Sequence, residues 1–256
     1  MLYLGTNFKM YKTIAQTEDY LRSLQRLTQD VDPARTQLFV IPSYTALQAA
    51  SACLGENTGI LLGAQNMCWE EEGQFTGEIS PAMLKETGVS LVELGHSERR
   101  HVLGETNEQI RAKVDCALRN DLRTLLCIGE TLAQRDCNTA DEVLAIQLKT
   151  ALSEVGEQAR IWIAYEPVWA IGVNGIAASA EYVARRHKHI RKILIELFGG
   201  HGADIPILYG GSVNRENARE LLRMPNTDGL FIGRSAWDAD SFSTIIHACS
   251  AGTSDR

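Results

Sequence analysis

Ile161-Trp162-Ile163-Ala164-Tyr165-Glu166-Pro167-Val168-Trp169-Ala170-Ile171-Gly172 is the stretch on which the reading of this chain turns. Its apolar opening reads as a buried strand, and Pro167, which cannot donate to a sheet ladder, stops that strand. Glu166 therefore stands where a strand emerges into a loop, beside Pro167, Val168 and Trp169. Apolar neighbours desolvate a carboxylate, raise its pKa and make it a better proton shuttle near neutral pH. Gly172, Asn174 and Gly175 follow and let the loop hinge. A lone Glu at such a place is more often a capping or surface residue, so its meaning depends on the rest of the chain.

Three further segments end apolar runs in the same way. Leu94-Gly95-His96-Ser97-Glu98-Arg99-Arg100 closes one with an imidazole. Gly5-Thr6-Asn7-Phe8-Lys9-Met10 closes another with an amide and an ammonium, and Leu208-Tyr209-Gly210-Gly211-Ser212-Val213 a third with two glycines and a hydroxyl. Strand-like runs lie near 2–6, 38–41, 60–64, 91–94, 124–128, 161–165, 207–209 and 230–232. Helical patterns fall between them, for example over 14–27, 108–119, 140–151 and 181–197. Alternation of this kind implies α/β architecture with a parallel sheet and outer helices. Eight strand candidates favour closure into a (β/α)8 barrel, and the first strand lacks the G-x-G-x-x-G of a dinucleotide site. A single catalytic domain is expected over 1–250, with a short tail over 251–256.

Composition narrows the function. The chain has 256 residues, 45% hydrophobic and 22% charged, as in a soluble globular protein. A formal net charge of -7 argues against nucleic acid as a partner. A phosphorylated metabolite remains compatible, because backbone N–H groups hold a phosphate without a basic surface. No run approaches a membrane span, and nothing near Met1 reads as a signal peptide. Cys53, Cys68, Cys116, Cys127, Cys137 and Cys249 form no C-x-x-C pair, which suits reduced thiols in a cytoplasmic protein. Neither a metal site nor a cofactor is expected.

In order and spacing, the segments AYEPVWAIG, GHSERR, GAQN with FTGEIS, CIGETL and YGGSV resemble the triosephosphate isomerase family from the first strand to the last. The resemblance implies a TIM barrel and sugar-phosphate isomerisation through an enediolate. It places the carbon base on Glu166 and a neutral imidazole on His96, the pairing for which triosephosphate isomerase is itself the best-known case. Lys9 and Asn7 would stabilise the enediolate oxygen, and Glu98 would tie Lys9 in place. Backbone donors of Gly172, Ser212, Gly233 and Arg234 would hold the phosphate. Pro167, Val168, Trp169, Gly172, Asn174 and Gly175 would belong to the lid. The loop from Gln65 to Ser80, with Phe75 and Thr76, would enter a second copy of the chain to form a homodimer, although its aromatics could equally pack on their own barrel. Cys127, beside Glu166 in the family arrangement, reads as packing rather than as a nucleophile.

The departures from the three-carbon enzyme point one step further. Thr6-Asn7-Phe8-Lys9-Met10-Tyr11, Val173-Asn174-Gly175-Ile176-Ala177 and Gly233-Arg234-Ser235-Ala236-Trp237 differ from its usual segments, and Glu93 puts a carboxylate two residues before Gly95. Together these features resemble the erythrulose-phosphate isomerases of tetritol catabolism. That implies interconversion of L-erythrulose 1-phosphate and D-erythrulose 4-phosphate. Triosephosphate isomerisation is the alternative, and a non-catalytic barrel the reading from another class. The retained Glu166 and His96 speak against the latter.

Overall fold

The computed structural model describes residues 1–55, 58–156, 159–172 and 175–251. Expected lid residue Asn174 and tail residues 252–256 lie outside the described residues. Eight parallel strands close into a barrel in chain order among the described residues. They are β1 (Leu2–Asn7), β2 (Thr36–Ile41), β3 (Ile60–Ala64), β4 (Leu91–Leu94), β5 (Arg123–Ile128), β6 (Ile161–Tyr165), β7 (Ile207–Tyr209) and β8 (Gly229–Ile232). β1 pairs with β8 through Tyr3↔Gly229 to Thr6↔Ile232, and this pairing closes the ring.

Most strands fall where the apolar runs place them. β2 begins two residues earlier than the hydrophobic pattern indicates, because Thr36 and Gln37 pair with Leu2 and Tyr3 at the polar bottom rim of the barrel. Capping chemistry fixes the helix starts. Thr13 and Gln16 form a reciprocal capping box for Ile14–Leu27, and Thr106 and Gln109 do the same for Asn107–Arg119. Each box satisfies two N–H groups that the first helical turn would otherwise leave bare.

Side chains alternate along each strand between two cores. Leu4, Leu38, Leu62, Val92, Leu126 and Ile163 face the helices in the outer core. Phe39, Leu91, Leu125, Trp162, Leu208 and Phe231 fill the barrel interior. The alternation carries Glu93 above Leu91, Cys127 above Leu125 and Glu166 above Ala164, all toward the C-terminal mouth. Among the described residues no helix is long and apolar enough to cross a membrane.

Candidate active site

A cavity of about 300 Å³ opens at the C-terminal ends of the strands. Asn7, Lys9, His96 and Glu166 line one side of it, and Gly172, Ser212, Gly233 and Arg234 the other. The expected catalytic and phosphate-facing residues are therefore brought to one place, the Glu98 carboxylate reaching it through Lys9.

Glu166 is held by its backbone before its side chain. Its N–H donates to the Ile128 carbonyl at 2.8 Å, so the chain stays on β5 for one residue past the end of β6. The carboxyl then lies against Gly210, where an added Cβ would approach Glu166 Cγ to 2.6 Å. A Cβ at Gly211 would collide with the Tyr209 hydroxyl. The paired glycines are thus required for close packing around the carboxylate and the tyrosine. Burial pushes the Glu166 carboxyl up to about 7, with the Lys9 charge opposing. Glu166 Oε2 is buried without a hydrogen-bond partner and stands 3.7 Å from His96 Nε2. An unpaired buried acceptor is costly in a resting protein and calls for a ligand to explain it.

His96 caps the short helix Ser97–His101, its Nδ1 accepting the Glu98 N–H at 3.2 Å. That bond requires a bare Nδ1 and places the ring proton on Nε2, the nitrogen turned to the cavity. The imidazole is pulled down to about 4, first by burial and then by the Lys9 charge. Desolvation is the leading influence that favours the neutral ring.

Lys9 adopts a left-handed backbone with φ of 51°. The strain costs on the order of 1 kcal/mol or more at a non-glycine residue. It is held by the Lys9 N–H donating to Asn7 Oδ1 at 2.6 Å, while Lys9 Nζ reaches Glu98 Oε1 at 2.7 Å. Nothing in the sequence announces this conformation. Asn7 in turn donates through Nδ2 to Glu93 Oε2 at 2.7 Å, accepts from Gln65 Nε2 at 3.0 Å, and offers its backbone carbonyl to Trp237 Nε1 at 2.8 Å.

On the opposite side, the Ser212 hydroxyl donates to the Ala170 carbonyl at 2.8 Å and so ties the lid base to the β7 loop. Gly172 has φ of 85°, a conformation that a side chain would strain. Arg234 opens a 3-10 turn over Arg234–Ala236 and is not among the residues of positive φ, so a non-glycine residue fits there. The loop expected to form the lid is anchored by Glu130, which the sequence reading did not single out within CIGETL. Glu130 accepts from Trp169 Nε1 at 2.8 Å, Tyr182 at 2.9 Å and Tyr165 at 3.1 Å. Pro167 is buried, Val168 begins the 3-10 turn Val168–Ala170, and the Ile176 N–H closes the loop onto the Trp169 carbonyl at 2.9 Å. Gly175 also lines the cavity.

Phe75 and Thr76 project on an exposed loop, with Phe75 stacked edge-on against Trp69 at 5.7 Å. The Cys127 thiol is buried and held well above its ordinary pKa by desolvation and neighbouring carboxylates, which suits a packing residue and not a nucleophile.

The chain belongs to the triosephosphate isomerase family, whose profile matches residues 2–249. Among its relatives is an L-erythrulose-1-phosphate isomerase of Rhizobium etli, 48% identical over 98% of this chain and 93% of that protein. A protein of the same name from Rhizobium meliloti is 45% identical over 96% of this chain and 95% of the relative. A crystal structure of triosephosphate isomerase from Bartonella henselae superposes with a TM-score of 0.87 at 38% identity, covering 96% of this chain and 98% of that one.

Proposed function

We propose that this enzyme interconverts L-erythrulose 1-phosphate and D-erythrulose 4-phosphate. The observation that carries the chemistry is the buried Glu166 carboxylate, its Oε2 unpaired and 3.7 Å from the Nε2 of a neutral His96. The choice of substrate rests on relatives at 44 to 48% identity over nearly their full length that bear this name.

Glu166 takes the proton from C3 of L-erythrulose 1-phosphate, and the C–H electron pair forms the C2–C3 double bond as the C2 carbonyl becomes an enediolate oxygen. His96 donates its Nε2 proton to that oxygen and takes a proton from the C3 hydroxyl. Protonated Glu166 then returns its proton to C2, leaving the carbonyl on the neighbouring carbon. Lys9 and one Asn7 N–H stabilise the charge that develops on oxygen, and Glu98 holds Lys9. The phosphate sits on backbone N–H groups of Gly172, Ser212, Gly233 and Arg234. A lid containing Pro167, Val168, Trp169, Gly172, Asn174 and Gly175 closes to keep water from the enediolate.

The working form is a cytoplasmic homodimer. Met10, Tyr11 and Leu103 expose 95%, 68% and 65% of their surface around a cleft of about 440 Å³ next to Lys9. Phe75 and Thr76 of a second copy fill that cleft, Thr76 reaching the partner subunit's Asn7 and Lys9.

The test is the ratio of kcat/KM for L-erythrulose 1-phosphate and dihydroxyacetone phosphate, on one preparation free of host isomerase. One extra hydroxymethyl group contributes about 1–3 kcal/mol of discrimination, so a ratio of roughly 5 to 150 is expected with some triose phosphate activity remaining. A ratio well below one replaces this reading with plain triosephosphate isomerisation.

A further inference from the structure

Glu93 has no part in the chemistry described above, yet it is fully buried on the barrel wall, one inward step above Leu91. It does not line the cavity; it lies beneath it, where the strands present apolar side chains elsewhere. Resting on the isomerase reading, we propose that Glu93 is a positioning residue, an uncharged carboxylic acid that aims the Asn7 amide at the substrate oxygen and leaves Glu166 as the carboxylate that ionises to take the proton.

Hydrogen-bond inventory supports the first half. Asn7 Oδ1 has two lone pairs, taken by the Lys9 N–H at 2.6 Å and Gln65 Nε2 at 3.0 Å. Asn7 Nδ2 has two hydrogens, and Glu93 Oε2 takes one at 2.7 Å. One N–H remains, and the plane of the amide fixes its direction once the other three sites are occupied. Without an acceptor at position 93 the buried hydrogen is left unpaired, and the amide gains by turning away from its productive angle.

Charge arithmetic supports the second half. From β1 the Lys9 ammonium faces this region but is bound to Glu98 Oε1 at 2.7 Å. From β5 the Cys127 thiol lies 3.7 Å from Glu93 Oε1. From the ends of β4 and β6, an imidazole nitrogen of His96 and a carboxylate oxygen of Glu166 lie within 4.8 Å of a Glu93 oxygen and of each other. Glu98 and Glu166 already place two carboxylates near the Lys9 ammonium, and a phosphate dianion must enter as well. A third buried carboxylate, hydrogen-bonded to an amide and a thiol and in no ion pair among the described residues, is opposed by desolvation when it ionises. Burial and the nearness of Glu166 accordingly hold its pKa well above the usual range, against the opposing Lys9 charge.

The experiment pairs Glu93→Gln with Glu93→Leu in the full-length enzyme. Gln keeps a neutral acceptor for Asn7, so kcat should stay within about threefold and the acid limb of the kcat/KM profile should not move. Leu removes the acceptor, and kcat should fall about tenfold with KM little changed, since the oriented N–H acts mainly on the enediolate. Infrared difference spectra of wild type against Glu93→Gln at about pH 8.5, where Glu166 is ionised, should contain the carbonyl stretch of one protonated carboxyl group. Absence of that band, an acid limb lowered by about one unit in Glu93→Gln, or wild-type kcat in Glu93→Leu each overturns the proposal. The infrared readout needs no substrate and no folded Leu variant. If wild type turns over neither erythrulose nor triose phosphates, the isomerase reading falls while the band still decides the state of Glu93.

Discussion

Leu91 and Glu93, Leu125 and Cys127, and Ala164 and Glu166 are each two positions apart, and over that step the barrel interior changes character. In the lower half Phe39 packs tilted against Trp162 at 5.5 Å and stacks on Phe231 at 5.7 Å, and Tyr3 lies 4.7 Å from Trp162. In the upper half the same strands present an amide, an imidazole and carboxyl groups, with one buried oxygen unpaired. Here burial serves two ends: below, it removes apolar surface from water and stabilises the fold; above, it destabilises charge and so raises the basicity of Glu166. Stability and reactivity should therefore respond in opposite ways to substitutions in the two halves.

The strongest departure is expected at Glu166. Replacement by Gln should lower kcat roughly a thousandfold, the scale of general base catalysis, and replacement by Asp, which withdraws the carboxylate by one methylene, about a hundredfold. Stability should move the other way. The folded-state pKa of Glu166 is raised from 4.5 to about 7, so between those values the native chain keeps a proton that the unfolded chain has lost. Stability contributed by that proton is present below the unfolded pKa and lost as pH rises through about 7. Glu166→Gln should accordingly be about 1–3 kcal/mol more stable than wild type at pH 8 and nearly equal to it at pH 4, measured by urea unfolding. An equal difference at both pH values breaks the contrast between the halves.

Below, Leu125→Ala should cost about 2–5 kcal/mol while kcat stays within a few-fold. A loss of activity without a loss of stability would show that the two layers are not separable. Between the halves and the solvent lies the loop proposed as the lid. Trp169→Phe removes the N–H bonded to Glu130 at 2.8 Å. It should change kcat and KM together by about three- to tenfold, as expected for altered lid populations and not altered chemistry. The smallest signal is at His96, whose ring nitrogens should show no titration by nitrogen NMR above about pH 6, against an ordinary midpoint near 6.5. A normal curve would place a charged imidazole in the upper layer.

The parts legible in the sequence are those set by local pattern. Apolar runs ending in Pro167, Gly95 or Gly210 locate strand ends, and strand ends in a closed parallel barrel share one mouth, so Glu166, His96, Asn7 and Lys9 could be gathered before any coordinates. What stayed hidden depends on partners far apart in the chain. Glu130 and Trp169 are 39 residues apart, and Asn7 and Glu93 are 86 apart. Neither pairing leaves a periodic signal. The strained backbone of Lys9 is equally silent, because lysine has no propensity for that region and hydrogen bonds with Asn7, Glu98 and Gln65 hold it there.

The most direct measurement is a carbon-13 NMR titration of the Glu166 side-chain carboxyl in the free enzyme, with Glu166→Gln assigning the resonance. Desolvation in the upper half of the barrel requires a midpoint near 7. A midpoint near 4.5, the value of a solvated glutamate, would mean that the residue is not desolvated and that the upper layer does not prepare it as a base.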